Sequence, residues 1–401
     1  MKMNKRAILL TTITTVCIVL FFTLIHMAVQ KNDKSIVRVA YIYEGDGSTP
    51  YTENFMKAQL AVEQEFGNRV ETVAFYNVKD VNIDTIYDKL FASDCDLVFA
   101  TSYGFENTIK QWAKEHPDIQ FCQATGDNAN VDEQLDNYHN FMGTIYQGRY
   151  VAGVVAGAKM KEMIKQGKLS EDDVKIGYVA AFPYAEVISG YTAFYMGVYS
   201  QVPSVTMQVI YVNSWSDYAK EKMAAKRMIE NGCTIISQHS DTIGSAVACQ
   251  ELKDKYPVVH VGYNGSMIDV APTTSLISSK INWASYEMNA VEAMLKNKDI
   301  ESCVVGKSDG NDAWGGFEDG WVELLGVNEF IVADGTNELI EETVERLKKG
   351  EIEVFSGPFT GKDPFNPSDT IDLSKTPFLE NSARSAPQFH YVLDDVIEVL
   401  E

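Results

Sequence analysis

Basic residues are in short supply. Thirty-four Lys and Arg stand against 56 Asp and Glu in 401 residues, a formal net charge of −22. A field of that sign repels phosphate backbones and anionic headgroups, so nucleic acid is excluded as a partner. Histidine is scarcer still, with His26, His116, His139, His239, His260 and His390 making the whole set. No two of them have HxxxH spacing, and none pairs with cysteine at the spacing of zinc ligands, so neither a metal centre nor a cofactor is expected. The six cysteines form no CxxC motif, and five of them lie beyond the first thirty residues, an odd number for a fully paired framework. Cys95, Cys122 and Cys233 open or sit within apolar runs and read as core thiols. There is no GxSxG nucleophile elbow. The acidic residues are scattered, so no catalytic carboxylate pair can be picked out. These absences argue against an enzyme.

Two glycine-bearing turns come close to nucleotide motifs and miss. Gly45-Asp46-Gly47-Ser48-Thr49-Pro50 has Pro50 where a third glycine would allow close helix packing. It remains a loop able to present Asp46 and helix N-terminal amides to a polar ligand. Gly357-Pro358-Phe359-Thr360-Gly361-Lys362 is one residue short of a phosphate loop, and Asp363 follows where a hydroxyl is needed.

What is present begins with Lys2, Lys5 and Arg6 ahead of an apolar run from Ala7 to Val29. About 20 apolar residues can cross a bilayer as a helix, and the basic flank stays inside. Residues 1–33 are therefore expected to be an uncleaved signal anchor, with a cleaved signal peptide and a lipoprotein anchored through Cys17 as alternatives. The rest would lie outside the cell membrane, tethered to its outer face.

Beyond the anchor, short continuous apolar runs alternate with amphipathic stretches. Val37–Tyr43, Val70–Tyr76, Asp96–Ser102, Ile119–Ala124, Lys175–Ala181, Met207–Val212, Thr234–His239 and Val258–Tyr263 read as strands buried on both faces of parallel sheets. The intervening stretches read as helices, giving repeated βα units and an α/β fold. A terminal helix is expected near Tyr391–Leu400. The units fall into two sets, predicting two doubly wound lobes joined by a hinge: 36–145 plus 264–307, and 146–263 plus 308–401. Ligands bind at the carboxyl ends of strands in such sheets. Tyr51, Tyr103, Phe105, Phe182, Tyr184, Trp215 and Trp283 all fall near such ends, where aromatic faces would stack on a flat ring.

The segments Ala100-Thr-Ser-Tyr-Gly-Phe105, Gln147-Gly-Arg-Tyr-Val-Ala-Gly153, Ile176-Gly-Tyr-Val-Ala-Ala-Phe-Pro183, Val212-Asn-Ser-Trp215, Ser237-Gln-His-Ser-Asp241 and Trp314-Gly-Gly316 are specific. Through them the chain resembles the basic membrane protein family of solute-binding proteins, relatives of purine nucleoside receptor A, over about Val37 to Phe359. The resemblance implies a type I periplasmic-binding-protein fold and a receptor that delivers a purine-like ligand to the permease of an ABC importer, acting as a monomer. A membrane-anchored sensor using the same fold is the alternative. Carried over by position, Asp46 and Tyr51 come from the first loop, Tyr103 and Phe105 line the first lobe, Phe182 and Trp215 the second, and Asp241 approaches from its own loop. Asn264 and Trp283 complete the set. Gly262-Tyr263-Asn264-Gly265-Ser266 lacks the acids of the nucleoside-binding branch, and Ile281 stands where that branch places a lysine. Both departures favour a free base over a nucleoside, and the segments Ala180-Ala-Phe-Pro183, Asn213-Ser-Trp215 and Gln238-His-Ser-Asp241 look like those of adenine-type base binders.

Overall fold

The computed structural model describes residues 34–401, so the anchor expected over 1–33 lies outside the described residues. Among the described residues no helix is long and apolar enough to cross a membrane.

The first lobe is built on β1 (Val37–Ile42), β2 (Val70–Phe75), β3 (Leu97–Ala100), β4 (Gln120–Ala124) and β5 (Tyr138–Gly143), in the parallel order 2-1-3-4-5. Helices α1 (Pro50–Phe66), α2 (Tyr87–Phe91) and α3 (Glu106–Glu115) connect them. Pro50 opens α1, where its missing N–H would have had no intrahelical partner, so the Ser48-Thr49-Pro50 turn is a helix start. The chain then enters α4 (Tyr146–Lys165) and builds the second sheet from β6 (Lys175–Ala180), β7 (Thr206–Tyr211), β8 (Cys233–His239), β9 (Val259–Tyr263) and β10 (Ser275–Ile281), again parallel. Its helices are α5 (Ala185–Tyr199), α6 (Tyr218–Glu230) and α7 (Gly244–Leu252). The central strands β3, β6, β8 and β9 are buried on both faces, as a sheet covered by helices requires, whereas the edge strand β2 is mostly half-buried or exposed, against expectation. α4 and α5 cross so closely that a Cβ on Gly197 would lie 2.1 Å from the Tyr150 carbonyl oxygen, and one on Gly153 2.2 Å from that of Phe194. Only glycine allows that approach.

After β10 the chain returns to the first lobe for α8 (Ala284–Leu295), β11 (Lys307–Asp309) and β12 (Asp312–Gly315), where β12 pairs in parallel with β5. It crosses again to place β13 (Val322–Leu325) beside β10. α9 (Thr336–Lys348) follows, then β14 (Thr360–Lys362), β15 (Thr370–Asp372) and β16 (Val392–Leu393) form a small antiparallel sheet. The chain ends in β17 (Ile397–Leu400) on the free edge of β7.

Two further expectations are corrected. The segments 264–307 and 308–401 do not separate the lobes. β10 pairs with β9 and belongs to the second sheet, whereas β12 pairs with β5 and belongs to the first, so the crossings fall after Ile281 and after Gly315. The terminal stretch 391–400 is not helical. Asp395 turns the chain at φ +63°, and Ile397, Glu398, Val399 and Leu400 pair in register with Met207, Gln208, Val209 and Ile210.

The three crossings lie side by side and bond to one another. Thr144 donates its N–H to the Gly315 carbonyl (2.8 Å) and Asn282 donates to that of Trp321 (2.8 Å). Such short segments between two rigid sheets are where a hinge absorbs its rotation. The lobes thus face each other across the carboxyl ends of their strands.

Candidate ligand-binding site

A cavity lies between the two sets of strand ends. Glu44 follows β1, Tyr51 is in the first turn of α1, Ser102 and Tyr103 follow β3, and Thr125 follows β4. Glu186 is in the first turn of α5, Trp215 follows β7, His239 ends β8, Asp241 lies two residues later, and Tyr263 ends β9. The first five come from one lobe and the rest from the other.

One device positions the lining in both lobes. Gln123, one residue before the end of β4, turns its amide back to the carbonyls of Ser102 (2.7 Å) and Ala124 (2.7 Å). Gln238, one residue before the end of β8, donates likewise to Ser240 (2.8 Å) and Thr242 (2.7 Å). Each glutamine fixes the loop that leaves its own sheet, and each is fully buried. In the second lobe Glu221 adds a further tie. It accepts the Thr242 hydroxyl (2.7 Å) and the Asp217 N–H (3.2 Å), locking the Asp241 loop to the Trp215 loop. Asp241 also donates its N–H to the Trp215 carbonyl (2.8 Å). Tyr51 donates its hydroxyl to Thr101 (2.6 Å), so its ring, and not its polar end, serves the cavity. Thr125 has φ +59°, a left-handed conformation that a β-branched residue adopts only at a cost of roughly 1–3 kcal/mol. Strain of that kind is held where a site requires it.

The electrostatics are lopsided. Three carboxylates, Glu44, Glu186 and Asp241, face the space. Burial, then Glu221, Glu44 and Glu186, raise Asp241 well above the usual carboxylate range, and Arg149 offsets this in part. Arg149, on the first turn of α4, is 1% exposed. Its guanidinium lies 3.5 Å from the centre of the Tyr263 ring and donates to the Gln238 carbonyl (2.8 Å). Burial raises Tyr103 to about 12, helped by Asp127 and Glu106. His239 is held down to about 4, first by burial and then by Arg149, although Glu186 lies 3.3 Å from its Nε2. His239 is therefore neutral in the folded chain at neutral pH.

This has a consequence for stability. The unfolded chain binds a proton at His239 below about pH 6.5, whereas the folded chain binds one only near 4. The stabilisation from neutral His239 is complete above pH 6.5 and is lost as pH falls towards 4, at about 1.4 kcal/mol per pH unit. Urea denaturation at pH 7.0, 6.0 and 5.0 is expected to show a shallower acid loss for His239→Gln than for the natural chain. Parallel pH dependences would mean that His239 takes up its proton over the same pH range in both states.

Of the residues expected from sequence, Tyr51, Tyr103, Trp215 and Asp241 come together in the cavity lining. Phe182 stands behind Trp215, edge to face at 5.3 Å, and stacks on Tyr184 at 5.2 Å. The others lie elsewhere. Asp46 accepts the Ser48 N–H (2.9 Å) and faces Asn77, completing its own turn. Phe105 is fully buried in the first lobe's core, because the 3₁₀ turn at 103–105 sends it inward as it sends Tyr103 outward. Trp283 is 1% exposed and stacked on Phe55 at 4.3 Å. Asn264, at φ +64°, is buried beside Tyr263 and outside the lining. Glu44, Ser102, Thr125, Glu186, His239 and Tyr263 went unforeseen. The signal was available for the last two, which end apolar strands with a polar side chain.

Two α/β lobes with parallel sheets, three crossings and an aromatic, acidic cavity at the strand ends define a solute-binding protein of the type I periplasmic-binding fold. The chain belongs to the family described as Bmp, ABC transporter substrate-binding protein PnrA-like, whose model matches residues 36–355. That family is extracytoplasmic. A purine-binding protein of Brucella abortus is 30% identical over 82% of this chain and 85% of its own length. A putative ABC transporter glucose-binding protein of Haloferax volcanii is 27% identical over 80% of this chain and 74% of its own. In fold, the chain is similar to an ABC transporter solute-binding protein of Aeropyrum pernix, with TM-score 0.65 and 15% identity over 79% of this chain and 92% of that one. A second such protein, from Conexibacter woesei, aligns with TM-score 0.59 and 18% identity over 79% and 97%.

Proposed function

We propose that this chain captures a purine-type ligand, a free base such as adenine, between its lobes and presents the closed form to the permease of an ABC importer. The observation that carries the reading is the cavity lining. Aromatic rings reach it from both lobes, Tyr51 and Tyr103 from one and Trp215 and Tyr263 from the other. Such rings suit the two faces of a flat heterocycle. Glu44, Glu186 and Asp241 accept hydrogen bonds and suit the ring and amino N–H groups on its edge. The Brucella relative's name supports the same ligand class. Ile281, where the nucleoside-binding branch has a lysine, is a buried apolar residue and offers a ribose nothing to bond. Ligand bridging both lobes favours the closed form, which is how capture becomes a signal to a permease. We take the chain to act as a monomer tethered by residues 1–33.

A thermal-shift screen of residues 34–401 against adenine, adenosine, guanosine, glucose and amino acids tests this. Ligand that binds only the folded state raises the melting temperature by mass action. Adenine is expected to give a larger shift than adenosine, and glucose none. A shift with glucose alone would replace the purine by a sugar and keep the receptor.

A further inference from the structure

The C-terminal extension lies beyond residues 36–355 that match the family, and it carries a cluster the interlobe site does not use. Asp363 and Asp369 flank the loop between β14 and β15, and His390 lies two residues ahead of β16. One donor atom from each lies within 4.8 Å of the others. His390 Nε2 is 3.3 Å from Asp369 Oδ2 and 3.9 Å from Asp363 Oδ2.

Each of these groups is oriented from outside the cluster. Asp363 Oδ1 accepts the Phe365 N–H at 2.7 Å, leaving Oδ2 for the centre. Asp369 Oδ1 accepts the Tyr391 hydroxyl at 3.1 Å, again leaving Oδ2. His390 Nδ1 is 2.7 Å from the Gln388 carbonyl oxygen, a contact that only a ring proton can bridge. That proton fixes the tautomer and turns the Nε2 lone pair inward. A backbone carbonyl holding the distal ring nitrogen is the usual support of a metal-binding histidine. The result is three ligand atoms facing one point, an arrangement that a bound cation would satisfy.

The spacing says which charge. Zinc holds nitrogen and oxygen ligands at about 2.0–2.2 Å in a tetrahedron, so its donors sit roughly 3.3–3.6 Å apart. The observed 3.3 and 3.9 Å need only a small contraction. An imidazole in the set disfavours calcium and magnesium, which take oxygen ligands. We propose that Asp363, Asp369 and His390 bind a first-row divalent cation of the zinc class, with water completing the coordination. The ion would clip the β14–β15 loop to the strand that leads through β16 into β17. It would thereby secure β17 on the edge of the second sheet. Metal motifs built on cysteine and histidine spacing miss this set, because two of its three ligands are aspartates and the third lies 21 residues on.

Calorimetric titration of ZnCl₂ into the full-length chain, freed of metal by a chelator, tests the proposal. One equivalent is expected to bind, at least tenfold more tightly than to Asp363→Asn, Asp369→Asn or His390→Gln. Zinc is expected to raise the melting temperature of the natural chain and of none of the three variants. The three variants report independently, so one that fails to fold leaves two readings. Zinc binding of equal strength in all the chains would assign the ion to other histidines and overturn the proposal. Absence of binding below millimolar zinc would overturn it too. Calcium competing at equal concentration would overturn the choice of metal.

Discussion

Arg149→Met is expected to cost the folded chain about 2–4 kcal/mol and to abolish measurable ligand binding. Arg149 is a charge with almost no contact with water, stacked 3.5 Å from the centre of the Tyr263 ring and bonded to the Gln238 carbonyl. A desolvated cation–π contact contributes about 2 kcal/mol, and a hydrogen bond from a charged donor about 1.5–3 kcal/mol. Relief of the cost of burying the charge takes back part of that sum. What methionine cannot replace is the field. Glu44 keeps its ion pair with Lys79 at 2.8 Å, but Asp241 would lose the cation that offsets its neighbours and be driven further from ionisation. Tyr263 and Gln238 would also lose the group that fixes them, and both support the lining. Arg149→Lys keeps the charge but not the planar stack, and is expected to recover less than half of the lost stability. Urea midpoints of the three chains, with ligand titrations beside them, check this. An unchanged midpoint for Arg149→Met would show that the stack on Tyr263 contributes nothing net.

Trp215→Ala is expected to weaken ligand binding by about 1–3 kcal/mol, the usual contribution of an aromatic ring stacked on a base. Folding should be little affected. Trp215 is only partly buried, it lies on a loop after β7, and Phe182 and Tyr184 remain to cover the core beneath it. The loop itself is held by Glu221 and by the Asp241 N–H to the Trp215 carbonyl, neither of which involves the indole. Isothermal titration of the variant, with circular dichroism to verify the fold, measures the effect. Normal folding with unchanged affinity would remove Trp215 from the site.

The strands legible in the sequence were those dominated by apolar and β-branched residues, whether buried on both faces like β3 and β8 or partly exposed at an edge like β2. β5 escaped for the opposite reason. His139 and Asn140 interrupt its apolar run, yet both are buried, and His139 is accommodated by Glu301, 162 residues away at 2.7 Å. No local pattern can announce a partner at that distance. β17 was misread because its alternation is short and its partner strand β7 lies about 190 residues earlier. The site divides in the same way. Tyr51, Tyr103, Trp215 and Asp241 were readable as side chains on strand-end loops. Phe105 and Trp283 met the same criterion and face the core, since one step along a tight turn reverses a side chain's direction. Glu44 and Glu186 were hidden among 56 acidic residues, and only the closing of two sheets on one cavity sets them apart.

Calorimetric titration of adenine into the chain bears most directly on the interlobe cavity as a purine trap. One site per chain, with binding lowered at least tenfold by Asp241→Ala and retained in His390→Gln, is the expected result. Heat with glucose and none with adenine, adenosine or guanosine would contradict the purine reading.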